Sequence, residues 1–122
     1  MACKLSSNGS SDNSATKANA LFAQIIKSSN PLSTLSGILR DSNDRTIESI
    51  WHRISQQEGR TYTAYARDAA QELGGNYITT SAGMRFVNVD TDQIKPPHGE
   101  VKQELDLYRR LLDATGAYLH RT

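Results

Sequence analysis

The stretch GRTYTAYARDAAQELGGNYITTSAGMRFVNVD, residues 59–90, decides how the chain is read. Its first half keeps a helical period, which sets Tyr62, Tyr65, Ala66, Ala69, Ala70 and Leu73 on one inward face. Thr61 or Thr63 is suited to cap that helix after a break at Gly59, and Gly74 falls where a left-handed C-cap ends it. Its second half holds two short runs of β-branched and aromatic residues, NYITT (76–80) and MRFVNV (84–89). Between them Ser81-Ala82-Gly83 predicts a three-residue hairpin loop with Gly83 in the left-handed region.

Upstream, KANALFAQIIKSS gathers Leu21, Phe22, Ile25 and Ile26 on one helical face. Asn30-Pro31 then predicts an N-cap followed by a proline in the first turn, opening a second helix, PLSTLSGILR, with Leu32, Leu35, Ile38 and Leu39 together. After the turn residues DSND, Ile47, Ile50, Trp51 and Ile54 fall at i, i+3, i+4 and i+7, a single buried stripe on a third helix over residues 46–57. Downstream, Asp90 to Gly99 contains Pro96-Pro97 and reads as a stiff connector. From Glu100 a helical period returns: Val101, Leu105, Tyr108, Leu112, Thr115 and Leu119 are spaced 4, 3, 4, 3, 4, the alternation of a heptad seam.

The fold class expected is therefore mainly α with one β-hairpin, an α+β winged-helix-like helical domain followed by a C-terminal amphipathic helix. Residues 1–16 read as a flexible Ser-rich tail, 17–95 as the helical domain with its hairpin, and 96–122 as connector and terminal helix. A chain of 122 residues fits one ordinary domain and can bury a core without metals or disulfides. It is 37% hydrophobic and 22% charged, inside the globular range. The single cysteine, Cys3, excludes an intrachain disulfide and a cysteine metal cluster, and points to a reducing compartment. No apolar run approaches the roughly 20 residues of a membrane-spanning helix, and the N-terminus lacks the apolar centre of a secretory signal. A soluble, cytoplasmic protein is expected.

Enzyme motifs are missing. His52, His98 and His120 show no i, i+4 pairing for a metal, and His52 falls away from the apolar stripe of its helix. There is no nucleophile-elbow motif and no cysteine with a partner histidine. Asp90 and Asp92 read as a solvated turn, and Gly74-Gly75 follows a helix where a phosphate-binding loop would lead into one. No catalytic residue, cofactor or metal site is assigned.

The order helix, turn, helix, hairpin is that of winged DNA-binding proteins, in which the second helix enters the major groove and the hairpin lies along the backbone. On that reading residues 46–57 support and residues 62–73 read, with Arg60, Thr61, Thr63, Arg67 and Gln71 towards bases and phosphates and Arg85 contacting from the wing. Duplex DNA is then the partner of a small regulatory or accessory protein. Dimerisation through Val101, Leu105, Tyr108, Leu112 and Leu119 would supply paired half-sites, with Arg109, Arg110, Asp106 and Asp113 on the seam edges. Charge opposes this: 14 basic and 13 acidic residues give a net +1, and residues 44–72 are slightly acidic. The alternative is a non-enzymatic protein-interaction module, adaptor or inhibitor, docking through its amphipathic helices.

Overall fold

A computed structural model describes residues 10–120, with side chains from residue 15 onward. The protein is mostly helical with one antiparallel hairpin. Helix α1 spans Ser10–Lys27, α2 Pro31–Arg40 and α3 Asp44–Glu72. Strands β1 (Asn76–Thr80) and β2 (Gly83–Val87) follow, then a 3-10 turn at Thr91–Gln93 and helix α4 at Gly99–Leu119. The chain divides into two compact units. One comprises the described residues up to Gln56 together with those from Tyr108 on, and the other is Gln57–Leu107. This division differs from the sequence boundaries at residues 16 and 95.

The first unit is an all-helical core. Asn30 caps α2, its side-chain oxygen accepting from the Ser33 amide at 3.3 Å, and Pro31 occupies the first turn as expected. Asn43 does the same for α3, accepting from the Thr46 amide at 2.8 Å. The caps satisfy amides that a helix start leaves without partners. The apolar stripes then turn inward: Phe22 and Ile25 from α1, Leu35 and Leu39 from α2, and Ile47, Ile50 and Ile54 from α3 are buried. The rings of Phe22 and Tyr108 lie 6.2 Å apart, and the Arg53 guanidinium sits 4.5 Å from the centre of the Phe22 ring, a cation–π contact at the edge of the core. His52 is exposed, as expected.

The second unit is smaller. Its fully buried side chains are Ala66 and Ala70 on α3, where small residues allow close approach. The hairpin is in register Tyr77↔Phe86 and Ile78↔Arg85, with the Tyr77 and Phe86 rings 4.7 Å apart across the strands. Gly74, at φ +83°, ends α3 in the left-handed region, as its position predicted. Gly75 is required for a different reason. A methyl group there would overlap Val89 Cγ2 and come within 2.5 Å of the Val87 carbonyl oxygen and 2.8 Å of the Asn88 carbonyl oxygen.

Several expectations are corrected. Residues 10–16, read as tail, belong to α1, while residues 1–9, including Cys3, lie outside the described residues. The hairpin turns through Ser81-Ala82 alone, because Gly83 pairs with Thr80 and opens β2. The Thr80 hydroxyl fastens this turn, donating to the Gly83 carbonyl at 2.8 Å and accepting from the Ala82 amide at 3.2 Å. The largest correction is at Gly59, where the expected break is absent and α3 runs for 29 residues. Thr63, read as a possible cap, lies inside the helix and donates back to the Gly59 carbonyl at 2.7 Å, the bond of a helix-interior threonine. A glycine costs about 1 kcal/mol in a helix, too little to break one that is packed on both sides of it.

The seam on α4 is likewise reassigned. Tyr108 and Leu112 are each only 6% exposed, and Leu111 and Thr115 are fully buried, so these residues are core of the first unit and are unavailable to a second chain. Leu119 is half-buried in the same unit, and Val101 and Leu105 are half-buried in the other. The Thr115 hydroxyl donates to the Leu111 carbonyl at 2.7 Å, which lets a polar side chain occupy the core.

Two glycine variants test the helix and the hairpin junction. At Gly59 an added methyl meets nothing within 4 Å. Gly59→Ala is expected to stabilise the protein by about 0.5–1 kcal/mol in urea unfolding, the gain of a helix interior; a lower midpoint would place a break there. Gly75→Ala is expected to cost about 1–3 kcal/mol through overpacking, and unchanged stability would contradict the close approach of residues 87–89.

Candidate interaction groove

Within residues 57–107 a groove of about 770 Å³ lies along α3. The helical period turns Tyr65, Asp68, Ala69 and Glu72 of α3 into it. The opposite wall is the connector at Ile94, Lys95 and Pro96, and the first turns of α4 add Val101 and Glu104. Sequence builds the connector wall locally. The Asp90 side chain accepts from the Asp92 amide at 3.0 Å and starts the 3-10 turn, and the Ile94 amide closes it by donating to the Thr91 carbonyl at 3.1 Å. Ile94 then leaves the turn extended, at φ −78° and ψ 121°, and Pro96-Pro97 keep the chain from turning helical.

Two hydrogen bonds tie the walls to α3. The Tyr65 hydroxyl donates to the Lys95 carbonyl, and the Thr61 hydroxyl donates to the Glu104 carboxylate at 3.4 Å. Burial raises the Tyr65 hydroxyl above its usual pKa of 10.0, and the neighbouring Tyr62 and Glu72 push it the same way. Tyr65 therefore stays a neutral donor throughout the physiological range.

The groove is mixed in polarity. Tyr65, Ile94 and Val101 are half-buried and form its apolar part, while Asp68, Glu72 and Glu104 are exposed carboxylates and Arg60 and Lys95 exposed cations. Asp68 and Glu72 stand one turn apart on one face and form no salt bridge among the described residues. By contrast, Lys102 and Asp106 on α4 are paired at 2.7 Å. Among the described residues no group of three or more His, Cys, Asp or Glu is arranged to hold a metal ion, and no helix is long and apolar enough to cross a membrane.

The residues proposed from sequence to touch DNA are only partly brought together. Arg60, Thr63, Arg67 and Gln71 recur at helical spacing along one side of the uninterrupted α3, and Arg60, Arg67 and Gln71 are exposed. Thr61 lies one position round, on the groove side, bonded to Glu104. Thr63 is engaged by the Gly59 carbonyl and lies 3.1 Å from Met84 Sδ on β2. Because adjacent strand residues face opposite sides, a Met84 directed at α3 turns the exposed Arg85 away from it. Arg85 is thereby separated from the helical stripe. Sequence reading missed the groove itself. Its one local signal was the polar side of the helix expected over residues 62–73, and the connector wall is brought there by the fold.

No protein-family model matches the chain, and no curated protein or solved structure is significantly similar to it.

Replacing Tyr65 by Phe removes the donor to Lys95 and is expected to cost about 0.5–1.5 kcal/mol at neutral pH. The folded hydroxyl has the higher pKa, so its contribution is complete below pH 10 and is lost as pH rises through the folded value. Denaturation from pH 7 to 11.5 should therefore show parent and Tyr65→Phe converging above pH 10. A constant gap would mean that the hydroxyl ionises alike in folded and unfolded chains.

Proposed function

We propose that the protein is a non-enzymatic protein-interaction module, cytoplasmic in setting, whose binding surface is carried by residues 57–107. The observation that supports this is where apolar surface remains. The exposed large hydrophobic residues among those described are Tyr62 (44%), Leu73 (44%) and Met84 (48%), and all three belong to that segment. The helices expected from sequence to dock on a partner have their strongest apolar positions enclosed, including Phe22, Ile25, Tyr108 and Leu112. Leu73 lines the groove, Met84 lies against Thr63 on α3, and exposed apolar side chains of this kind mark a surface that another molecule covers.

Duplex DNA is the rival partner, favoured by the stripe of Arg60, Arg67 and Gln71 on α3. Electrostatics weigh against it on this segment. Residues 57–107 hold five basic side chains (Arg60, Arg67, Arg85, Lys95 and Lys102) against eight acidic ones, and DNA affinity grows with the number of phosphates neutralised. The continuous α3 also removes the turn that would set a reading helix apart from its support.

A photo-crosslinking residue placed singly at Tyr62, Leu73 and Met84, and at the exposed Gln24 and Arg40 as controls, separates the readings in the protein's native cells. Adducts with one identified polypeptide from the first three sites and none from the controls are expected. Salt-sensitive binding of a labelled duplex that is lost in Arg60→Ala/Arg67→Ala, without polypeptide adducts, would overturn the proposal in favour of DNA.

A further inference from the structure

Resting on the interaction-module reading, we infer that the groove along α3 receives an extended peptide segment of a partner protein that alternates cationic and apolar side chains. Charge is the first reason. Asp68 and Glu72 stand one helical turn apart without salt bridges among the described residues, and Glu104 adds a third carboxylate from α4, against Arg60 and Lys95. Two such carboxylates a turn apart can flank one lysine or arginine, and a partly enclosed site screens that attraction less than open water does. Phosphate groups would be repelled by the same carboxylates, which outnumber Arg60 and Lys95 and so favour a cationic segment over a nucleic-acid strand in this groove.

Shape is the second reason. From Arg60 to Glu72, both groove residues, α3 rises about 18 Å at 1.5 Å per residue. At about 3.3 Å per residue, that length matches an extended segment of five or six residues. Tyr65, Ile94 and Val101 provide the half-buried apolar contacts for side chains that alternate with the cations.

Backbone chemistry sets the mode of recognition. The connector cannot take an added strand: the Ile94 amide already donates to Thr91, the Lys95 carbonyl accepts from Tyr65, and Pro96 and Pro97 have no amide hydrogen. The peptide is held by its side chains, and selectivity follows their charge and spacing more than any backbone ladder.

The test uses the full chain and a fluorescein-labelled hexapeptide, Leu-Lys-Val-Arg-Leu-Lys, with a counterpart in which glutamate replaces each cation. Anisotropy should give a Kd of roughly 100 µM for the cationic peptide, typical of a small weak contact, weakened by added salt, and no binding of the acidic one. Asp68→Asn/Glu72→Gln should weaken binding about tenfold, the scale of two partly exposed ion pairs lost together. In amide NMR spectra of the parent, the peptide should shift signals of residues 60–73 and 93–104. No binding, equal binding to parent and variant, or shifts confined to the hairpin would overturn the inference. Should the variant prove misfolded, the salt dependence and shift map of the parent still decide. Crosslinks at Tyr62, Leu73 and Met84 with no peptide binding would leave the interaction module standing and remove only its cationic occupant.

Discussion

The unbroken hydrogen-bond ladder of α3 across Gly59 is the constraint on which the rest of the structure depends. Before the glycine, α3 contributes Ile47, Ile50 and Ile54 to an all-helical core; after it, the same helix contributes the buried Ala66 and Ala70 and one wall of a groove. A break at Gly59 would free the second half to act as a separate reading helix. Continuity makes it a scaffold, and what it positions is the surface of Tyr65, Asp68, Ala69 and Glu72. The threonines beside the glycine take part in this outcome, since Thr63 bonds back to the Gly59 carbonyl and Thr61 reaches Glu104 on α4.

Chemistry is distributed unevenly along the chain. A net charge of +1 hides an acidic segment, because residues 57–107 carry eight carboxylates and five cations. The same segment keeps the exposed Tyr62, Leu73 and Met84, whereas the stripes of the other unit are enclosed in their own core. Carboxylates and apolar side chains brought to one groove suit a protein segment better than a nucleic acid, because affinity there comes from burial and local pairing instead of displaced counterions. The Tyr65 hydroxyl, held neutral and bonded to the Lys95 carbonyl, sets the position of the connector wall.

Much of the local structure was legible. Asn30-Pro31 announced a helix start, Gly74 a helix end, and the stripe Ile47, Ile50, Trp51 and Ile54 a buried face in which Trp51 is half-buried, because capping and periodicity act over a few residues. Thr63 shows where that legibility ends. A threonine after a glycine suits a cap and a helix-interior back-bond equally well, and packing of the neighbouring turns chose the second. Tyr108 and Leu112 show it again, since a heptad-like spacing looks the same on a dimer seam and on a helix folded into its own core.

The sequence by itself determined the element types, the α2 cap, the hairpin and the inward faces of α1, α2 and the first half of α3, all consequences of short-range sterics and hydrophobic period; on the second half of α3, Tyr62 and Leu73, expected inward, are exposed. Only the tertiary structure decided that α3 is one helix, that Tyr108 and Leu112 of the α4 seam are core, and that Asp68, Glu72, Ile94 and Glu104 share a groove. These residues come from segments far apart in the chain. Their meeting depends on which faces bury against which, an energy summed over many contacts that no local window of sequence contains.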